Sequence, residues 1–192
     1  VRAIDEGEQI HDEIVGRGLL EKDFMVGATL VDMYAKCGML LKAQNVLEQL
    51  PIRNVVSWSA LIVGYVEQGR SHEALNYFAQ MKIEGLFPDA VIFICILRAC
   101  GCTGDIDKGK EIHERIESRG LLETDVALGT ALVDMYAKCG MLTKARQVLD
   151  ALPVRNVASW SAVITGHIQE GEGNQALNCF EQMQSEGLCP DI

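Results

Sequence analysis

Val31-Asp-Met-Tyr-Ala-Lys-Cys-Gly-Met39 recurs letter for letter as Val133 to Met141, 102 positions further on. A verbatim nonapeptide at that distance marks an internal repeat, and a repeat has to be read before any local element. The same offset carries Ile10-His11 onto Ile112-His113, Ser57-Trp58-Ser59-Ala60 onto Ser159-Trp160-Ser161-Ala162, and Pro88-Asp89 onto Pro190-Asp191. Phe24 to Asp89 and Val126 to Asp191 agree at 39 of 66 positions.

The repeating unit divides further into helix pairs. In residues 55–89, Val56, Leu61, Ile62, Val63 and Tyr65 fit one helix that stops near Gln68-Gly69. Ala74, Leu75, Phe78 and Met81 then mark a second amphipathic helix, closed by Gly85 and Pro88. Residues 90–125 repeat the design, with a helix through Ile92, Ile96, Leu97 and Cys100, a break from Gly101 to Gly104, an N-cap at Asp105, and a second helix to Arg119-Gly120. In residues 126–156 the first helix ends at Cys139-Gly140 and the second runs from Met141 to Leu152, before Pro153. Units of 35, 36 and 31 residues fill the 102-residue period.

No period-two pattern bounded by hairpin signals occurs, so the expected fold is all-α: a right-handed superhelical solenoid of antiparallel helix-turn-helix repeats. One pair cannot bury its apolar face alone, whereas stacked pairs share a continuous core. The chain opens inside a second helix, Ala3 to Arg17, and closes just after Asp191. Both end faces are therefore expected to be uncovered and to favour self-association.

Composition narrows the function. With 192 residues, 48% hydrophobic and 23% charged, the chain is neither a disordered tail nor a collagen-like fibre. Asp and Glu number 27 against 17 Lys and Arg, a net charge of -10, which argues against a nonspecific polyanion binder. Seven cysteines, an odd number spread through apolar helical stretches, fit reduced thiols in a reducing compartment. No run of about 18 apolar residues is present to span a bilayer. The opening Val1-Arg-Ala-Ile-Asp-Glu-Gly has no initiator Met and neither signal nor transit character, as expected of a segment of a longer protein. No membrane, small-molecule substrate, cofactor or catalytic activity is expected.

The order of 35-, 36- and 31-residue units, with Val55-Val-Ser-Trp-Ser-Ala-Leu-Ile, Glu73-Ala-Leu, Phe78, Met81 and Gly85-Leu-Phe-Pro-Asp89, resembles the pentatricopeptide repeat family. More narrowly it is similar to the plant PLS subclass, whose ordinary, long and short repeats alternate; Ala131-Leu-Val-Asp-Met-Tyr-Ala-Lys-Cys-Gly140 is like the short-repeat hallmark. Tetratricopeptide repeats share the helix-pair design, but their uniform 34-residue period does not fit. On this resemblance the chain is one array: 1–23 the end of a long repeat, 24–54 short, 55–89 ordinary, 90–125 long, 126–156 short and 157–192 ordinary.

The resemblance implies binding of single-stranded RNA, about one nucleotide per repeat, as the recognition segment of a plant organellar editing or processing factor in plastid or mitochondrion. Editing-factor proteins would be its other partners. Family repeats read a base with the fifth residue of the first helix and the last residue of the repeat, over an apolar wedge at the second residue. Carried onto this chain, the pairs are Ala28/Asn54, Ser59/Asp89, Ile94/Asp125, Thr130/Asn156 and Ser161/Asp191, and the wedges are Met25, Val56, Val91, Ala127 and Ala158. Ala28 lacks a hydrogen-bonding side chain, and the apolar Ile94 implies a spacer or weak reader. The family's phosphate-facing lysine corresponds to Lys36 and Lys138, while Glu67 and Gln169 stand at that site in the ordinary repeats. Read 5′ to 3′, the family pattern implies G at Ser59/Asp89, A at Thr130/Asn156 and G at Ser161/Asp191.

Other signals have plainer readings. Ser, Thr, Asn and Asp at these places also suit helix starts and turns. Cys100-x-Cys102 has no second pair to complete four zinc ligands, so packing is expected, as for Cys37 and Cys139. His11-Asp-Glu13 matches half of a zinc deaminase signature, but the P-C-x-x-C half is missing and the repeat copy reads His113-Glu-Arg115. Trp58 and Trp160 are expected to pack between helices rather than stack on bases. The alternative overall reading is a scaffold whose groove takes a peptide or partner helix. An enzyme is disfavoured, since no nucleophile-base pair, phosphate loop or metal cluster stands at motif spacing.

Overall fold

The computed structural model of the chain describes residues 2–189. These form α1 (Arg2–Gly16), a short α2 (Leu19–Lys22), α3 (Phe24–Lys36), α4 (Leu40–Gln49), α5 (Val55–Glu67), α6 (Ser71–Ile83), α7 (Ala90–Thr103), α8 (Ile106–Ser118), a 3₁₀ turn (Leu121–Glu123), α9 (Val126–Lys138), α10 (Leu142–Ala151), α11 (Val157–Gln169) and α12 (Gly173–Ser185). No strand occurs among the described residues, so the all-α helix-pair fold is the one expected. No helix there is long and apolar enough to cross a membrane. Two compact units divide the chain, Val1–Ile92 and Phe93–Ile192.

In the first unit, α3 packs against its partner α4 and also against α5, which pairs with α6. Side chains three and four apart along each helix supply the core: Val31, Ala43, Leu61, Ile62, Phe78 and Met81 have no more than trace exposure. The starts of the first helices α3 and α5 are capped by side chains. Asp23 accepts from Met25 N–H at 2.8 Å to begin α3, and Asn54 and Ser57 bond reciprocally to begin α5. Gly38 and Gly69 end α3 and α5 at φ of 80° and 72°, where a side chain would be strained.

The second unit repeats this arrangement with α9, α10, α11 and α12, and adds α8 against α9. Asp105 caps α8 through Lys108 N–H at 3.1 Å, as expected. Leu132, Val133, Ala145, Leu149 and Val163 fill its centre, with Phe93, Ile96 and Ile112.

Both tryptophans are core residues, 3% and 1% exposed. Trp58 Nε1 donates to Glu84 Oε2 at 2.8 Å while Arg53 holds Glu84 Oε1 at 2.6 Å. Trp160, Glu186 and Arg155 form the same clip, at 3.1 and 2.7 Å. The indole body is buried and its N–H satisfied, which leaves no face for a base.

Two expectations need correction. The break placed at Gly101 to Gly104 is only at Gly104: α7 continues to Thr103. Gly101 is there for closeness, because a Cβ on it would meet Lys138 Cδ at 3.2 Å. Cys37 and Cys102 do not pack; both are exposed, whereas Cys100 is buried and Cys139 half-buried. The short turns Leu19–Lys22 and Leu121–Glu123, each following a left-handed glycine, carry no periodicity that would have revealed them.

Candidate nucleic-acid interface

First helices of neighbouring pairs leave an open hollow between them in each unit. In the first unit it lies between α3 and α5, holds about 390 Å³, and is lined by Met25, Ala28, Asp32, Lys36, Val56, Ser59, Asp89 and Val91, with Thr29, Ala60 and Val63. In the second it lies between α9 and α11, holds about 340 Å³, and is lined by Asp134, Lys138, Ala158, Ser161, Ala162 and Thr165, closed by Ala137, Gly166 and Gln169. Most of these residues correspond across the 102-residue offset. The hollow exists because the helices approach closely at their far ends: a Cβ on Gly64 would meet Ala35 Cβ at 2.7 Å.

Seven residues singled out from sequence therefore meet in the first hollow: Met25, Ala28, Lys36, Val56, Ser59, Asp89 and Val91. Met25, Val56 and Val91 are 46%, 51% and 51% exposed, so three apolar side chains stand half out of the surface at the starts of successive first helices. Ala28 is buried and contributes floor only. The second hollow joins Lys138, Ala158 and Ser161. Ala127 is exposed at the start of α9, and Ile94 is half-buried on α7, with no bond to Asp125 among the described residues. Asp191 lies outside the described residues.

The repeat-terminal residues among the described ones are helix caps. Asp89 Oδ1 accepts from Ile92 N–H at 2.9 Å, Asn54 Oδ1 from Ser57 N–H at 2.9 Å, and Asn156 Oδ1 from Ser159 N–H at 2.8 Å. Asp125 Oδ1 accepts from Ala127 and Leu128 at 2.9 and 3.2 Å. Helix-start chemistry and base reading thus do not exclude each other, because a cap uses one terminal atom and leaves the second. For the asparagines the cap also orients the amide: oxygen faces the helix and nitrogen faces away. Asn156 Nδ2 donates to Thr130 Oγ1 at 3.0 Å, and that hydroxyl donates to Val126 O at 3.0 Å. At Asn54 the corresponding residue is Ala28, which offers no acceptor. Ser59 Oγ has no protein partner among the described residues.

Each of the two lysines has an aspartate partner. Lys36 Nζ lies 2.7 Å from Asp32 Oδ2, and Lys138 Nζ 2.7 Å from Asp134 Oδ2. The hydrogen bond that Lys36 donates to Asp32 raises the lysine above its ordinary value. The signal was available, since Asp and Lys stand four apart within the repeated nonapeptide. In the first hollow, two carboxylates, Asp32 and Asp89, face one ammonium.

The histidines lie elsewhere. His11 Nδ1 pairs with Tyr34 Oη at 2.9 Å and His113 Nδ1 with Tyr136 Oη at 3.0 Å, each ring edge-on to the phenol. No group of three or more His, Cys, Asp or Glu arranged to hold a metal occurs among the described residues. Burial pushes the Cys100 thiol up to about 12.

Family models described as "PPR repeat" match residues 29–55, 91–121, 130–157 and 158–188, and one described as "PPR repeat family" matches 53–102. Among curated relatives, a chloroplastic pentatricopeptide repeat-containing protein of Arabidopsis thaliana is 38% identical over 98% of this chain and 30% of its own. A mitochondrial one from the same plant is 35% identical over 96% of this chain and 33% of its own. The chain spans about a third of the length of these relatives. In fold it is similar to the pentatricopeptide repeat protein PPR10, solved in complex with an 18-nt psaJ RNA element, at a TM-score of 0.74 and 16% identity over 98% of this chain and 28% of that one. It is also similar to the PPR domain of Arabidopsis thaliana protein-only RNase P 1, solved with tRNA, at 0.65 and 12% over 84% and 89%. At these identities the likeness shows the helix-pair solenoid fold.

Proposed function

The chain belongs to the pentatricopeptide repeat family, and from that premise we propose that it binds single-stranded RNA at the hollow of each unit, about one base per repeat. The observation that carries this reading is the hydrogen bond between Asn156 and Thr130, two residues 26 positions apart that the family pattern pairs as one reader. A base would rest on the apolar wedges, Val56 and Val91 in the first unit, with its Watson-Crick edge toward the fifth and last residues. The outward amide of Asn156 suits N1 of adenine, an acceptor. The carboxylate of Asp89, which lines the same hollow as Ser59, suits the N1–H and N2–H₂ donors of guanine. Ser161 with Asp191 is assigned guanine on the same family pattern, and Ala28/Asn54 and Ile94/Asp125 are unassigned.

The role is recognition, with no catalytic step assigned to this segment. The alternation of unit lengths supports placement in the PLS subclass, and the chloroplastic and mitochondrial relatives support an organellar editing or processing factor as the whole protein. Ile168 and Leu177, each 61% exposed, support self-association at the C-terminal side. The net charge of -10 sets a modest affinity for the segment alone. Binding to a panel of labelled single-stranded RNAs at two salt concentrations tests the proposal: preference for G and A at the second and fourth bases is expected, and equal binding of all sequences overturns it.

A further inference from the structure

In both units the one lysine reaching the hollow is held by an aspartate one turn earlier on the same helix, at an identical 2.7 Å. The lysines are largely exposed, with 70% and 48% of the side chain accessible, and both members of each pair line the hollow. We infer that Asp32 and Asp134 are affinity-limiting residues of the RNA face: they neutralise Lys36 and Lys138 where phosphate would bind.

The reasoning is electrostatic and rests on the RNA reading above. An exposed ion pair is weak, so a phosphate competes for the ammonium without difficulty. The carboxylate cannot withdraw, however, because its helix holds it one turn away. It then faces the incoming phosphate as a like charge and takes up a counterion of its own. A lysine–phosphate contact on a single strand ordinarily contributes about 0.7 to the slope of log affinity against log salt, through release of a counterion. With the aspartate retained, uptake cancels release and the contribution falls toward zero. Glu67 adds to the local negative field at Lys36. The duplicated spacing keeps the lysine on the groove side while limiting its attraction for polyanions of any sequence, so discrimination rests on the base readers.

The experiment compares the wild-type chain with the Asp32→Asn/Asp134→Asn variant, measuring affinity for one matched and one fourth-base-mismatched RNA across a salt series. Asn is isosteric and both sites are outside the core, and helical circular dichroism checks the fold. Expected are a tightening of roughly tenfold at low salt and a slope steeper by about 1.4, equal for both RNAs. Adding Lys36→Gln and Lys138→Gln should abolish that gain, yet change little in the wild-type background. Unchanged slope and affinity, or weaker binding, overturn the inference. If the wild type still separates matched from mismatched RNA, the base-reading proposal survives that failure; if it does not, both fall.

Discussion

Asn156 donates its side-chain amide to the Thr130 hydroxyl at 3.0 Å while its oxygen caps α11 at 2.8 Å. One side chain thus starts a helix and ties it to the preceding first helix. Because the oxygen is occupied by Ser159 N–H, the amide cannot flip without losing the cap, and the donor side is held toward Thr130.

Asn156→Asp tests this arrangement. Aspartate caps as well as asparagine, so thermal stability should change by less than about 0.5 kcal/mol. The outward donor becomes an acceptor, and preference at the fourth base should move from A toward G by about 1 kcal/mol or more. Competition assays on RNAs differing at that base check it. The matching change Asn54→Asp should shift nothing, since Ala28 offers no hydroxyl.

Gly64→Ala should destabilise the chain by about 1–3 kcal/mol, because the new methyl meets Ala35 Cβ at 2.7 Å and Leu40 Cδ2 at 3.1 Å. The α3–α5 spacing would have to widen, so binding at the second base should weaken as well. Gly16→Ala is the control: a methyl there meets nothing within 4 Å. Urea midpoints of the two variants should separate clearly.

Burial holds the His113 pKa below the ordinary histidine value, although Glu117, 3.2 Å from Nε2, opposes the shift. Lys144 adds to the lowering and Glu114 to the opposition. The unfolded chain therefore binds this proton first as pH falls. Stability from the neutral ring is complete above about pH 6.5 and is lost as pH drops through the folded value. Urea denaturation between pH 7.5 and 5 should show this loss, and His113→Gln should flatten that part of the profile.

Native protein should expose Cys37, Cys102 and Cys189 to a thiol reagent, whereas Cys95, Cys100 and Cys179 should react only after unfolding. For Cys100, with its thiol pushed up to about 12, the thiolate fraction at pH 8 is negligible as well. Titration with and without denaturant counts both classes. Fast reaction of all seven cysteines would mean that α7 is not packed as described.

The helices were readable because their signals are local. Val55 to Glu67 begins at an Asn with Ser three residues on and ends at Gln68-Gly69, so cap, stripe and stop all lie within the segment. The verbatim nonapeptide made the repeat visible, and Trp58 and Trp160, each one residue before a proposed reader, were expected between helices. The Asp32–Lys36 pair is equally local, an i, i+4 spacing within the nonapeptide.

What sequence by itself determined is therefore the helix-pair period, the caps and the set of residues at repeated positions, all consequences of interactions within about four residues. Tertiary structure decided the rest, because the deciding neighbours are remote in the chain. Gly101 lies within the helix α7 with Lys138 close against it, Cys37 is exposed while Cys100 is buried, and Ala28 is buried floor whereas Thr130 accepts from Asn156. The atom left outward on Asn156 likewise depends on a helix start and a hydroxyl brought together only by packing of α9 against α11, a geometry that no local propensity encodes.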